Sequence, residues 1–320
     1  MDNETASLRK DFVEAVSRLI PAFESNDQKL GLAVSGGPDS LALLLLAFET
    51  YPGRIAAATV DHGLRPAARA EAEFVASICD QRSIPHAILR PVVPIRGSIQ
   101  SAARRARYGL LHDWMKDHHV DWLATAHHAD DQLETMIMRI LRGSGIDGMS
   151  GIREKRNNIV RPLLHFRKSA LISYVASHGI EAVDDPSNAD QGYDRVRVRN
   201  ALKDLEGFDT SLASQSASAL GSAREAIEWH VDQLAAEYVK SADDGCALSK
   251  TGFPHEIERR LLLKCLHICD PALSPRGNQV DQTIHALQRG ETVTLGNILC
   301  RGGEKWTFRT APKRRNSQIP

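Results

Sequence analysis

The chain has no Cys-x-x-Cys pair, no net charge, no apolar run as long as a membrane span and no basic-then-apolar start. Each absence removes a class of function. The five cysteines, Cys79, Cys246, Cys265, Cys269 and Cys300, are odd in number and scattered. That rules against a disulfide framework and fits reduced thiols in the cytoplasm. Cys265 and Cys269 stand one helical turn apart, a spacing a metal can use, but a core helix with two small apolar residues is the expected reading. Forty basic residues balance forty acidic ones, so any attraction to RNA must come from local patches. With no apolar stretch near the ~20 residues of a span, no membrane partner is expected. Met1 to Arg9 lacks the layout of a secretion signal. What remains, at 42% hydrophobic and 25% charged over 320 residues, is a globular chain of one large or two ordinary domains.

From Lys29 onward, strands and helices alternate. The pattern predicts strands at Leu30–Val34, Arg54–Val60, His86–Leu89 and Asp121–Ala126. It predicts helices at Asp39–Thr50, Pro66–Arg82, Ser98–His118 and Asp130–Leu141. Such repetition argues for an α/β fold, a parallel sheet with helices on both faces. A leading helix lies within residues 1–27. A short strand at Asn158–Pro162 and a helix at Phe166–His178 follow, and the latter runs into an Asp184–Asn188 loop. Beyond Asn200 the pattern changes to long helices at Leu212–Lys240 and Pro254–Cys269. Short strand-like pieces and a basic tail complete the chain. A boundary near Leu205 is therefore expected, with 1–205 as the α/β domain and 206–320 as a smaller, mostly helical one.

Between the first strand and its helix lies Ser35-Gly36-Gly37-Pro38-Asp39-Ser40. Such a loop presents backbone N–H groups at a helix N-terminus, where phosphate binds readily. Glycine lets the backbone approach an anion, and Pro38 suits the first helical position. The loop lacks a Gly-Lys-Ser/Thr ending and contains no lysine, so amides and the Ser35 and Ser40 hydroxyls must hold the anion.

Ligands of parallel sheets bind beyond the carboxyl ends of the strands. Asp61 and His62 close the second strand and His127 the fourth, so one cleft can collect them with Ser35. A turn-capping role is the simpler reading of Asp61. In the helix after Ala126-His127-His128-Ala129-Asp130-Asp131-Gln132, Leu133, Met136, Ile137, Ile140 and Leu141 form one apolar stripe. Asp131 and Glu134 share a neighbouring face, although the helix dipole alone favours carboxylates in a first turn. The two His and two Asp invite a metal reading, yet the spacing matches no zinc signature. Arg107 borders the apolar stripe of its helix with Arg104 one turn before it. That position suits bidentate capture of a carboxylate or phosphate, or else a solvated basic face. A literal Gly-x-Gly-x-x-Gly at residues 143–148 follows a helix rather than a strand. It is read as a flexible loop able to move over the cleft.

Taken in order, these segments resemble the tRNA(Ile)-lysidine synthetase family of PP-loop ATP pyrophosphatases. The resemblance rests on the loop at 35–40, Val60-Asp61-His62-Gly63-Leu64-Arg65-Pro66, Ala103-Arg104 with Arg107-Tyr108, and Ala126 to Gln132 with Glu134-Thr135. It continues through Leu141-Arg142-Gly143, Arg161-Pro162-Leu163-Leu164 and Asp185-Pro186-Ser187-Asn188, and so spans about residues 29–200. It implies a Rossmann-like, adenine nucleotide alpha hydrolase sheet. ATP would be cleaved between its α and β phosphates to adenylate the C2 oxygen of the wobble cytosine in a CAU-anticodon tRNA(Ile). The ε-amino group of free L-lysine would then displace AMP.

The roles the resemblance implies are as follows. Asp39, Asp61, His127 and Asp131 would be catalytic. Ser35, Gly36, Gly37, Pro38, Asp39 and Ser40, with His62, would bind ATP, and Asp39 would hold Mg²⁺. Arg107, Asp131 and Glu134 would bind lysine. Arg195, Arg197 and Arg199 would meet the tRNA. The basic tail, Arg301, Lys305, Arg309, Lys313, Arg314 and Arg315, is a second RNA candidate or a solvated end. Members that thiolate tRNA need a cysteine pair, and glutamine-dependent synthetases need a nucleophilic cysteine domain; neither is present. A non-catalytic nucleotide sensor is the rival from another class, and it would not need Arg107, Asp131 or Glu134. Oligomeric state is not legible, and a homodimer is one option.

Overall fold

Apolar periodicity turns the leading segment into α1 (Asn3–Leu19), which buries Phe12, Val16 and Leu19 in the first core. The computed structural model describes residues 3–63, 67–91, 99–183, 194–203, 209–242 and 244–311. Leu64–Pro66, the Asp184–Asn188 loop and the tail from Lys313 to Arg315 lie outside the described residues. The chain divides into two compact units, Met1–Gly221 and Ser222–Pro320.

In the first unit, β1 (Leu30–Ala33), α2 (Pro38–Thr50), β2 (Ile55–Val60), α3 (Ala67–Asp80), β3 (His86–Leu89), α4 (Ile99–Asp117) and β4 (Trp122–Ala124) follow the expected alternation. Next come α5 (Ala129–Ile140), α6 (Ile146–Met149), β5 (Lys155–Arg156), β6 (Ile159–Val160), α7 (Lys168–Ser177), α8 (Asp194–Lys203) and α9 (Thr210–Tyr238), the last running into the second unit. The sheet order is β3-β2-β1-β4-β6-β5. Its first five strands are parallel, and β5 adds an antiparallel edge to β6. Chain order reverses between β1 and β4, which opens a crevice at their carboxyl ends.

Helix α2 explains the rigidity of that crevice. Its residues from Ser40 to Ala47 are all buried, as expected of a helix apolar on every side. On the other face of β1, Gly31 is required by packing. A Cβ there would lie 2.7 Å from Val120 Cγ1 and 2.8 Å from Trp114 Cζ3. Gly31→Ala is therefore expected to lower stability by about 1–3 kcal/mol in urea unfolding, because the ring must move.

One expectation about this unit changes. The residues after Leu141 form a turn and α6 rather than a flexible loop. The Gln132 amide donates to the Ile152 carbonyl (3.1 Å) and accepts from the Ile152 N–H (2.6 Å), tying that segment to α5. The alternating arginines at 195, 197 and 199 sit on helix α8, with Val196 and Val198 buried between them.

The second unit contains the end of α9, then β7 (Val239–Ala242), β8 (Gly245–Leu248), α10 (His255–Cys269), α11 (Gly277–Gln288), β9 (Thr292–Leu295), β10 (Ile298–Arg301) and β11 (Trp306–Thr310). The strands form one antiparallel sheet, β7-β8-β11-β10-β9. Its core joins Leu261, Leu262 and Cys265 of α10 to Ile284 and Leu287 of α11 and to Trp306 and Phe308 of β11. Helices are prominent, as expected, but the organising layer is this sheet. Its strands are four or five residues long. Each offers too few alternations to stand out in sequence.

Candidate active site

The loop Ser35–Ser40 sits at the tip of β1, where Gly36 takes φ +90°, a conformation only glycine adopts without strain. Gly37 is the N-cap of α2 and Pro38 its first residue, and no side chain caps the helix. The first-turn amides are thus left to a ligand, and their dipole favours an anion. Ser40 has another task than the one expected. Its hydroxyl donates to the Gly37 carbonyl (2.9 Å) and accepts from the Ser35 N–H (3.1 Å), which braces the loop from inside. Ser35 is exposed as a residue, and its hydroxyl lies 3.2 Å from that of Ser40.

Across the crevice, His127 and His128 follow β4. Sequence reading singled out His127; the geometry singles out His128. Its ring is 2% exposed, with Nε2 3.3 Å from Asp39 Oδ2 and 3.5 Å from Asp131 Oδ2. Nδ1 lies 3.6 Å from Asp130 Oδ2. Burial opposes the charge, but the hydrogen bonds to Asp130 and Asp39 and the charges of Asp131 and Asp39 outweigh it, raising the pKa to about 10. A buried imidazolium thus joins the phosphate loop to the first turn of α5. The sequence signal was the first-turn pair Asp130-Asp131, with His128 in the N-cap position before it.

His127 is the opposite case. Burial, helped by the charges of Arg161, Arg104 and Arg107 and against that of Asp131, pushes it down to about 3. It stays neutral, with Nδ1 3.0 Å from the Thr125 hydroxyl.

His128 sets a pH dependence. Its folded pKa lies above the ordinary 6.5, so its stabilisation is complete below pH 6.5 and disappears as pH rises through 10. Stability should fall by on the order of 3–5 kcal/mol across that window. Urea unfolding at several pH values checks this, and His128→Gln should flatten the profile.

The other expected residues divide into open and occupied groups. Asp39 keeps Oδ1 buried with no partner, and His62 keeps Nδ1 likewise. Burial, with the nearby Arg107 charge, lowers the His62 pKa, which favours the neutral ring. Asp61 is occupied: it accepts from the Gly63 N–H (2.9 Å) and from Arg90 Nε (3.0 Å). It holds the turn rather than facing the crevice with a free oxygen. Glu134 is 3% exposed and clamped by Arg199 through Nε (2.6 Å) and Nη2 (3.1 Å), with Arg195 Nε at 3.3 Å. Arg199 is thereby engaged with a buried carboxylate, while Arg195 pairs with the same carboxylate from an exposed position. Arg107 is half-buried, and its guanidinium stands 5.6 Å from the Tyr108 ring centroid.

A second constellation has the order of a hydrolytic triad and is structural. Ser214 Oγ lies 3.0 Å from His165 Nδ1, and His165 pairs with Glu154. Ser214 is wholly buried and donates to the Leu164 carbonyl (2.8 Å), out of reach of any substrate.

The PP-loop domain family matches residues 8–206 of the chain. The tRNA(Ile)-lysidine synthase of Zymomonas mobilis is 40% identical over 318 residues, covering 96% of this chain and 95% of the relative. The chain belongs to the tRNA(Ile)-lysidine synthase family. The enzyme of that name from Novosphingobium aromaticivorans is 38% identical over 299 residues, covering 90% of this chain and 91% of the relative. Among solved structures, a U34-tRNA thiolase from Methanococcus maripaludis superposes with a TM-score of 0.57 at 16% identity, over 68% of this chain and 78% of that one. That likeness carries the fold alone. In this lysidine synthase family member the Rossmann-like sheet and the PP loop at the tip of β1 agree with the expected fold, and ATP is the nucleotide the family implies.

Proposed function

We infer that this protein ligates L-lysine to C2 of the wobble cytidine of a CAU-anticodon tRNA(Ile), consuming ATP and releasing AMP and diphosphate. The observation that carries the reading is the uncapped N-terminus of α2, whose first-turn Asp39 meets His128 and, through it, Asp131 from the far side of the β1/β4 crevice. The amides of Gly36, Gly37, Asp39 and Ser40, with the Ser35 hydroxyl, hold the triphosphate. His62 meets the nucleoside end. The orphaned Oδ1 of Asp39 suits a Mg²⁺ ion carried by the nucleotide, which would neutralise charge on the leaving diphosphate.

Asp131 is the carboxylate left for the lysine ammonium group, since Glu134 is clamped by Arg199; Arg107 takes the lysine carboxylate. Lysine must lose a proton before it attacks. His127, with its pKa pushed down to about 3, is a weak base for that proton. Asp61 shapes the β2 turn. Glu134 positions α8, and Arg197 on that helix is the arginine of its group assigned to tRNA. The exposed Arg301, Lys305 and Arg309 offer further phosphate contacts. We assign catalysis to 1–205 and tRNA support to 206–320, in the cytoplasm. No helix among the described residues is long and apolar enough to cross a membrane.

Incubation with labelled lysine, ATP and total tRNA tests this directly. The expected product is a lysine-bearing cytidine in one tRNA species. Absence of tRNA-dependent incorporation would defeat the reading.

A further inference from the structure

Asp130 stands where three helices begin. It lies in the first turn of α5, and its Oδ2 meets the first residues of α7 and α9. That oxygen accepts from the Lys168 N–H at 3.0 Å and from the Thr210 hydroxyl at 3.4 Å. The N-cap of α7, Arg167, makes no capping hydrogen bond with its side chain. Asp130 supplies an acceptor there from 38 positions earlier. Beside it, the Ala129 N–H donates to the Phe166 carbonyl at 2.9 Å, so the start of α5 is tied to the approach to α7 twice. Helix N-termini favour a carboxylate. Burial opposes the charge of Asp130, but His128, the Lys168 N–H and its own N–H outweigh it and lower its pKa. The carboxylate is an anion fixed in place by backbone.

The same oxygen lies 3.6 Å from His128 Nδ1. Nδ1 has a second neighbour, the Asp131 N, at 3.4 Å. The ring serves one of them at a time: a bare Nδ1 accepts from the Asp131 N–H, whereas an Nδ1–H donates to Asp130. Nε2, further round the ring, lies 3.3 Å from Asp39 Oδ2 and 3.5 Å from Asp131 Oδ2. A ring held at Nδ1 cannot turn away at Nε2. Asp130 holds it there, and α7 and α9 hold Asp130. Outer partners that orient a working side chain typically carry about 10–100-fold in activity.

We propose that Asp130 is a positioning residue for the ligation: anchored by the Lys168 amide and the Thr210 hydroxyl, it orients the His128 ring so that Nε2 keeps Asp39 in place at the phosphate loop. Asp130 reaches the reaction through His128 and is assigned no contact with ATP or lysine. This role rests on the ligase reading above and extends it to a residue that reading leaves out.

The test is a double-variant cycle in the full chain: Asp130→Asn, His128→Gln and both together. Lysine incorporation is measured with ATP, lysine and tRNA varied in turn, and melting temperature is recorded for each protein. Asparagine can place its carbonyl oxygen where Oδ2 stands and still accept from the Lys168 N–H, so Asp130→Asn is expected to fold. Alone it should lower kcat about 10–100-fold and leave the KM for lysine and for tRNA within about twofold of wild type. In the His128→Gln background the same substitution should change kcat by no more than about twofold, because the ring it orients is gone. A role confined to capping α7 would give the same loss in both backgrounds. That result would overturn the proposal, as would a folded Asp130→Asn protein whose kcat stays within about twofold of wild type. If Asp130→Asn does not fold, Lys168→Pro takes its place in the cycle and is judged by the same two outcomes. Lys168 is the first residue of α7, where proline is accepted, and proline removes the N–H that anchors Asp130. A wild-type protein that incorporates no lysine would remove the ligase reading and this role with it. An active wild type with additive losses would remove this role alone.

Discussion

Asp39→Asn is expected to reduce lysidine formation by about 10²–10³-fold, the loss typical when one electrostatic partner of a reacting phosphoryl or acyl group is removed. The carboxylate has two jobs. Oδ2 stands 3.3 Å from the His128 imidazolium, and Oδ1 is buried with no protein partner. Asparagine keeps the shape and removes the charge, so the fold should persist on the apolar packing of α2. His128 retains Asp130 and Asp131. Lysine incorporation at saturating ATP, read beside far-ultraviolet melting, checks both halves. A well-folded variant within tenfold of wild-type activity would remove Asp39 from the reaction.

Glu134→Ala is expected to cost both activity and stability. The family resemblance implied that Glu134 binds lysine together with Asp131. The structure instead buries it against Arg199, with two hydrogen bonds of 2.6 and 3.1 Å. Removing one partner of a buried pair typically costs about 3–5 kcal/mol, because the other charge stays desolvated. Arg199 is 26% exposed, so solvent can relieve part of that loss, and about 2–4 kcal/mol is expected. Arg199→Ala should cost a similar amount, since it strands Glu134. The double variant should be less destabilised than the sum by about 1–3 kcal/mol. Urea unfolding of the two single variants and the double variant measures this coupling. A coupling near zero would show that the pair does not hold α8 to α5.

These two residues also mark where the sequence was legible. The β1–α2 segment could be read almost to the residue, because an unbroken apolar strand, a Gly-Gly-Pro loop and an apolar helix admit few arrangements. The tips of β2 and β4 were readable as places where polar residues end a buried strand, but not in their roles: Asp61 is taken up by Gly63 and Arg90. Partnerships between distant elements were not readable. Nothing local in Arg199 names Glu134, 65 positions earlier, as its partner. The role of His128 depends on Asp39 arriving from another strand-helix unit. Arg161 is one letter of an Arg-Pro-Leu-Leu segment, and nothing local shows that it is buried with an unpartnered Nε. In the second unit, strands of four and five residues carried too little pattern to predict a sheet.

The central claim is that amides at the tip of β1 and the α2 N-terminus hold ATP so that AMP passes to an RNA base. Product analysis with ATP labelled at the α-phosphate tests it most directly. The account predicts AMP and diphosphate, formed together with lysine-bearing tRNA and dependent on both lysine and tRNA. Release of ADP, or AMP formation indifferent to tRNA, would contradict it.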